Sequence, residues 1–334
     1  MRKTVCLALL FISATPLFGG TAKVGEDSVQ WIIDLGGSVT RNAQGSVTGV
    51  NLRGSWVNDS DLRRLNQYPD LSTLDLSLTH ITDEGMQDIK TLKGITDLSL
   101  YFDQYVTDEG VAAIQNWKKL KRLNLQGTKA GDSALEHIAG ITALESLNVG
   151  STLMTDVGLE RLTSLPNLTE LTMGGNELGD AGLQALRQMP ALTYLDLSGR
   201  QGNDKNVWTI AMTDLGLRAV LTLKNLRELR FACTSTAVGI EGSKFGEIST
   251  LSVTQEWLEQ MKALPKLQVL KVQGCNRIDD HAVAALLALP TLREADLKGT
   301  AVTTAGAAQL RAAKPGLLVY VGPWEAKAGG YRNN

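Results

Sequence analysis

The feature that most limits what this chain can become is a pattern that returns about every 24 residues. Four stretches read LSTLDLSLTHITDEGMQDIKTL, LKRLNLQGTKAGDSALEHIAGI, LESLNVGSTLMTDVGLERLTSL and LTELTMGGNELGDAGLQALRQM. Each follows L-x-x-L-x-L-x-x-T/N-x-I-T-D-x-G-L-x-x-L-x-x-L or a close variant. The first apolar position falls at Val47, Leu71, Ile95, Leu120, Leu144, Leu168, Leu192, Leu226, Leu267, Leu292 and Leu317. The steps are 24, 24, 25, 24, 24, 24, 34, 41, 25 and 25. A length of 334 residues would by itself suggest about two domains. A repeat overrides that expectation, because one unit cannot bury its apolar face alone and must stack on its neighbours.

Within each unit the spacing predicts a short strand and then a helix. L-x-x-L-x-L places its last two leucines on one strand face, with period two. Gly-Leu-x-x-Leu-x-x-Leu, as at Leu159, Leu162 and Leu165, makes one helical stripe. The Thr-Asp pairs before it (Thr82-Asp83, Thr107-Asp108, Thr155-Asp156, Thr213-Asp214) suit an N-cap. Their return at one repeat position argues against a catalytic use of the aspartates. Proline stands just before the strand at Pro69, Pro166, Pro190, Pro265, Pro290 and Pro315, where it ends the preceding helix.

This consensus resembles the leucine-rich repeat. The Ile-Thr-Asp-x-Gly-Leu variant is similar to repeats of exported bacterial leucine-rich-repeat proteins, to ribonuclease-inhibitor-like repeats and to those beside F-boxes in ubiquitin-ligase receptors. The resemblance covers roughly residues 43–322. It implies an α/β fold, a right-handed horseshoe solenoid with a parallel β-sheet on the concave face and helices on the convex face. It says almost nothing about function. The expected organisation is a signal peptide at 1–22, an N-terminal helix and hairpin cap at 23–46, a solenoid of about ten repeats at 47–322 and a loose tail at 323–334. In the cap, EDSVQWIIDLGG reads as a helix with Val29, Ile32 and Ile33 turned inward, and SVTRNAQGSVTGVNL as a hairpin feeding the first ladder strand.

The N-terminus differs from the rest. Two basic residues precede an apolar run from Val5 to Phe18, followed by Gly19, Gly20, Thr21 and Ala22. That order reads as a secretory signal peptide, with export to a periplasm or the extracellular space, and the run is short for a membrane span. Its removal leaves Cys233 and Cys275. They follow equivalent strand positions in adjacent repeats, so a bridge is conceivable; two separate thiols are the favoured reading. A net charge of −2 argues against nucleic acid as an obligate partner.

The sequence offers no catalytic constellation. His80, His137 and His281 occupy three different repeat positions and are not expected to converge. There is no H-E-x-x-H, G-x-S-x-G, C-x-x-C or P-loop, and Gly-Ser-Lys in GIEGSKFG lacks the Walker spacing. No cofactor and no metal are expected, and the chain is read as not an enzyme.

Three regions remain as candidate contact surfaces. The residue between the inward strand positions faces the concavity, and towards the C-terminus this row and its neighbour become charged: Tyr194, Asp196, Arg230, Lys271, Asp296. They fit either a cross-strand charge ladder or a polar recognition surface with Tyr194 as anchor. YFDQY, from Tyr101 to Tyr105, is a longer loop with three aromatics in a chain that is 5% aromatic. Here the tyrosines are expected at the surface and Phe102 is open to either the core or the rim. The steps of 34 and 41 residues hold insertions near 199–211 and 234–252, both between strand and helix and so on one rim. They carry Arg200, Asp204, Lys205 and Trp208 in the first, and Lys244 and Phe245 in the second. Insertions that gather on one face of a repeat array often form its binding face. The expectation is a protein partner, with carbohydrate binding through the aromatics, or a role as non-catalytic subunit of an enzyme complex, as alternatives.

Overall fold

The computed structural model describes residues 28–199, 201–202, 207–208, 210–233 and 253–324. The signal-peptide reading, most of both insertions and residues 325–334 lie outside them. The described chain forms one long sheet with helices returning between its strands. The strands are β1 (Ser38–Arg41), β2 (Val47–Asn51), β3 (Thr73–Asp75), β4 (Asp97–Ser99), β5 (Arg122–Asn124), β6 (Ser146–Asn148), β7 (Glu170–Thr172) and β8 (Tyr194–Asp196). A small pair follows, β9 (Gln201–Gly202) and β10 (Val207–Trp208), and then β11 (Glu228–Ala232), β12 (Val269–Gln273), β13 (Glu294–Asp296) and β14 (Leu318–Tyr320). Apart from β9 and β10 they join in chain order into one 12-stranded sheet, parallel throughout except that β1 pairs antiparallel with β2. This is a leucine-rich-repeat solenoid.

The leucine spacing accounts for the core. Leu74 and Leu76, Leu98 and Leu100, Leu123 and Leu125 stack behind successive strands, and the helix residues Met86, Val111, Leu135 and Leu159 close over them from the other side. All belong to one continuous cluster running the length of the array. Two expectations about its ends need correcting. In the first helix (Gln30–Asp34) the inward residues are Trp31 and Ile32, while Ile33 is 46% exposed. The indole of Trp31 finds a polar partner there, donating to Tyr68 Oη at 3.1 Å, with Arg64 lying over its ring. At the other end Ala295 pairs with Val319, so Gly316 rather than Leu317 takes the place of Leu292, and the last step is 24 residues. A one-residue slip exchanges the faces of a strand; Leu318 and Tyr320 therefore point outward and Val319 inward.

The Thr-Asp-x-Gly motif does more than cap. Thr82, Thr107, Thr155, Thr213 and Thr303 each accept an amide of their own helix. The aspartate beside the cap reaches forward to the next repeat. Asp59, Asp83, Asp132, Asp180 and Asp280 accept the backbone N–H of the following repeat's threonine at 2.8–2.9 Å and its hydroxyl at 2.5–2.7 Å. Where the next cap is glycine there is no hydroxyl to take: Asp108 and Asp156 accept its amide, and Asp108 also accepts the Ala134 amide at 3.2 Å. The motif's glycine follows from this reach. A Cβ at Gly85, Gly110, Gly158 or Gly182 would overlap the carboxylate arriving from the repeat before. Two helices lack this aspartate: Gln255 takes its place in one, and Thr304 in the last described helix (Thr304–Ala313).

The strand ends are managed as well. In β14 the Leu318 amide and Tyr320 carbonyl face β13, which leaves Val319 facing the open edge, where Arg311 Nη2 donates to its carbonyl at 2.5 Å. Cys233 and Cys275 form a disulfide with Cα atoms 4.6 Å apart. The favoured reading of two separate thiols was wrong: neighbouring parallel strands lie about 4.8 Å apart, and both cysteines leave their strands on the same side.

Candidate functional site

The loops that join each strand to its helix form one rim of the solenoid. Two residues beyond the last strand leucine the backbone turns through the left-handed region. Glycine holds that place at Gly54, Gly127, Gly175, Gly199, Gly274 and Gly299. Leu78, Phe102 and Ser151 hold it with φ of 59°, 59° and 52°. For a side chain with a Cβ this costs about 1–2 kcal/mol, and two of the three are large and apolar. Leu78 is 45% exposed and gains nothing from the core. Phe102 lies flat against Gly127, where a Cβ would overlap its ring, and edge-on to Tyr101 with centroids 4.6 Å apart. The YFDQY loop thus keeps Phe102 on the rim. The residue it turns inward is Asp103, fully buried.

A second row lies further out. Trp56, His80 and Tyr105 follow the last strand leucine by four or five residues in three successive repeats. Trp56 is 84% exposed and Tyr105 54%, and the Tyr105 ring centroid is 6.2 Å from that of His80. Tyr101 is half-buried beneath the guanidinium of Arg53, 5.2 Å from its ring centroid. Leu153, also exposed, continues this rim two repeats on. The sequence reading found Tyr101 and Tyr105 but missed Trp56 and Leu78. Their signal was present: bulky apolar residues at repeat positions that lead to solvent rather than to the core.

The concave face is organised differently. Strand register aligns Thr172, Asp196, Arg230, Lys271 and Asp296. Arg230 binds Glu228 at 2.6 Å and Asp196 at 3.7 Å, and its guanidinium lies 5.0 Å from the Tyr194 ring centroid. Tyr194 Oη donates to Asp196 Oδ2 at 3.2 Å, Lys271 pairs with Glu294 at 3.4 Å, and Gln273 donates to Asp296 at 2.6 Å. Burial raises the Asp196 carboxyl above its ordinary value, against hydrogen bonds from the Ser198 hydroxyl and amide. Burial and the adjacent Asp196 carboxylate push the Tyr194 phenol upward. These groups satisfy one another, the arrangement of a cross-strand ladder. A shallow concavity of about 460 Å³ precedes it, lined by Asp75, Asp97, Arg122, Asn148, Glu170 and Tyr194 among others, with Arg122 paired to Asp97.

The insertions are described in part. The first opens with β9 and β10, an antiparallel pair matching Gly202 with Val207 and Gln201 with Trp208, and rejoins the array where Ile210 bridges to Leu178. Arg200, Asp204, Lys205, Lys244 and Phe245 lie outside the described residues, as does the Trp208 side chain. The second insertion departs directly after Cys233, which the disulfide ties to the next repeat. Among the described residues no group of three His, Cys, Asp or Glu could hold a metal ion, and no helix is long and apolar enough to cross a membrane.

A family model described as leucine rich repeat matches residues 142–201, and a second leucine-rich-repeat model matches residues 69–90. No curated protein matches the chain. Among solved structures, an internalin C2 from Listeria monocytogenes is similar over 68% of this chain and 81% of its own, at 21% identity and a TM-score of 0.48. A second Listeria monocytogenes internalin, InlF, is similar over 90% of this chain and 94% of its own, at 15% identity and a TM-score of 0.44. Both matched sequence segments lie in the array of stacked strands and helices, and what they identify in this chain is leucine-rich repeats.

Proposed function

We propose that the chain is an exported, non-enzymatic scaffold that binds a protein partner along its strand-to-helix rim. Trp56, Leu78, Tyr101 and Tyr105 form one end of that surface and the two insertions the other, with the charged half of the concave sheet beside it. The observation that carries this reading is the rim itself. The chain exposes Trp56, Leu78 and Tyr105 in consecutive repeats and keeps two large apolar residues in a backbone conformation that glycine would adopt without strain. Strain retained at an exposed position points to a use outside the fold, and aromatic anchors on a rigid rim are what protein interfaces draw on. The apolar N-terminal run and the Cys233–Cys275 bridge support export to an oxidising compartment.

The test is affinity capture with residues 23–334 from an extracellular or periplasmic fraction, followed by a measured Kd for the purified partner. Replacing Trp56 and Tyr105 by Ser and Leu78 by Gly weakens binding by about tenfold or more with the fold intact. Unchanged affinity removes the rim from the interface. Binding to a glycan array with no protein captured replaces this reading with carbohydrate recognition through the same aromatics.

A further inference from the structure

Asp103 stands where most of the repeats place a neutral Ser, Thr or Asn, as at Ser55, Thr128, Thr152 and Asn176. It follows the last strand leucine, Leu100, by three residues, as Asn176 follows Met173. Both side chains reach back to the preceding repeat in the same way. Asn176 Oδ1 accepts the Thr152 amide and hydroxyl, both at 3.0 Å. Asp103 Oδ1 accepts the Thr79 amide at 2.7 Å and hydroxyl at 3.1 Å. The second atom differs. Asn176 Nδ2 donates to two carbonyls, Val149 at 2.7 Å and Met173 at 2.9 Å. Asp103 Oδ2 is buried and has no hydrogen-bond partner. The carbonyls at the matching repeat positions belong to Leu76 and Leu100. An ionised carboxylate offers them only another acceptor, whereas a protonated one can donate as the Asn176 amide does.

We propose that Asp103 is a neutral carboxylic acid in the folded chain, an isostere of Asn176, and that its ionisation loosens the Tyr101–Tyr105 rim segment. At the centre of the segment this side chain adds its bonds to Thr79 to the backbone bonds of Phe102 to Gln126 and of Val106 to Asp103. The segment's exposed rings are the ones the rim presents, so the proton fixes the shape of that surface. The titratable groups of the surrounding strands and loops are Arg53, Asp75, His80, Tyr101, Tyr105 and Lys129. Asp75 opposes ionisation and Arg53 favours it, both less than burial, which pushes the Asp103 carboxyl up to about 7 against the two Thr79 hydrogen bonds.

The sign follows from linkage. The folded chain holds this proton over a pH range in which the unfolded chain, with an ordinary aspartate near 3.8, has released it. Folded-state stability from this site is therefore full at acid pH, declines between about pH 4 and 7, and is constant above. Asp103→Asn keeps the donor at every pH. Thermal unfolding of both proteins is compared from pH 4 to 8.5, with hydrogen exchange of residues 101–106 at pH 5.5 and 8 corrected for the intrinsic rate. The variant's Tm advantage grows as pH rises to about 7 and then levels off, and only the wild type loses protection in the segment. The Asp103 side-chain carboxyl 13C shift, followed by NMR in the wild type, gives a midpoint near neutrality. Parallel pH profiles for the two proteins, or a midpoint in the ordinary aspartate range, overturn the proposal. The NMR titration decides the question even if the variant folds poorly.

Discussion

At the scale of single residues, the chain uses aspartate in three ways that the sequence does not distinguish. Asp196 is buried on the concave face and shares Tyr194 and Arg230. Asp103 is buried in the core. The repeating aspartates beside the caps bind forward to the next repeat, and most of them meet a glycine that makes room, although Asp108 faces Ala134 and Asp214 faces Trp257. Asp132 accepts the Thr155 amide at 2.8 Å and hydroxyl at 2.6 Å, and a Cβ at Gly158 would overlap its carboxylate. Asp132→Ala costs about 1–2 kcal/mol for the two lost hydrogen bonds. Gly158→Ala costs about 1–3 kcal/mol through overlap, although alanine is the better helix former by about 1 kcal/mol. The two effects share one space, so urea denaturation of the double variant shows a cost smaller than their sum. An additive cycle would mean that the carboxylate is not what the glycine accommodates. The rim residue Leu78 behaves oppositely: Leu78→Gly leaves Tm unchanged or raises it, because relief of about 1–2 kcal/mol of backbone strain outweighs the little that an exposed leucine contributes. A clear loss of Tm would show that Leu78 packs rather than presents.

At the scale of elements, the period carried most of the fold. Eleven strand positions were readable from leucine spacing because burial on one face of a short strand leaves little freedom. The N-terminal hairpin was readable from its turn residues. The errors fell where periodicity no longer decides between neighbours. Ile33 and Trp31 both border Ile32, and helix geometry together with the Tyr68 hydroxyl selects the tryptophan. Leu317 looked like the start of the last strand, but Gly316, at φ +92°, makes the turn and shifts the register by one. The disulfide was undecidable in one dimension, since it depends on how two strand ends lie across one ladder spacing. The rim was half readable: aromatic clustering marked Tyr101 and Tyr105, while Trp56 and Leu78 look like ordinary apolar residues until their exposure is known. The disulfide fastens the base of the second insertion, and it closes a segment with a sequence separation of 42. Chain entropy for such a loop gives a stabilisation of about 4 kcal/mol. Urea midpoints with and without reductant, or for Cys233→Ser with Cys275→Ser, measure it. A reduced protein as stable as the oxidised one would contradict a constraining role.

At the scale of the whole molecule, each repeat packs mainly on its neighbours, so stability is close to a sum of similar contacts and the two ends of the described array need their own cover. The N-terminal end is closed by the antiparallel β1 and the first helix. At the other end Arg311 occupies the open carbonyl of β14. Arg311→Ala frees that carbonyl on an exposed strand edge, and sedimentation at increasing concentration then shows self-association that the parent chain lacks. A variant that stays as dispersed as the parent assigns the edge no such hazard. Thr304 adds a further consequence. Aspartates along most of the array act as plugs for the sockets of the next unit; Gln255 is an internal exception, and the last described helix has a socket at Thr303 but no carboxylate at Thr304. A second chain stacking head to tail would find nothing to seat its own first cap. Head-to-tail contacts that do not close into a ring grow into filaments. Without a carboxylate at Thr304, any such end-to-end stacking forgoes one of the hydrogen-bonded contacts that join unit to unit inside the array.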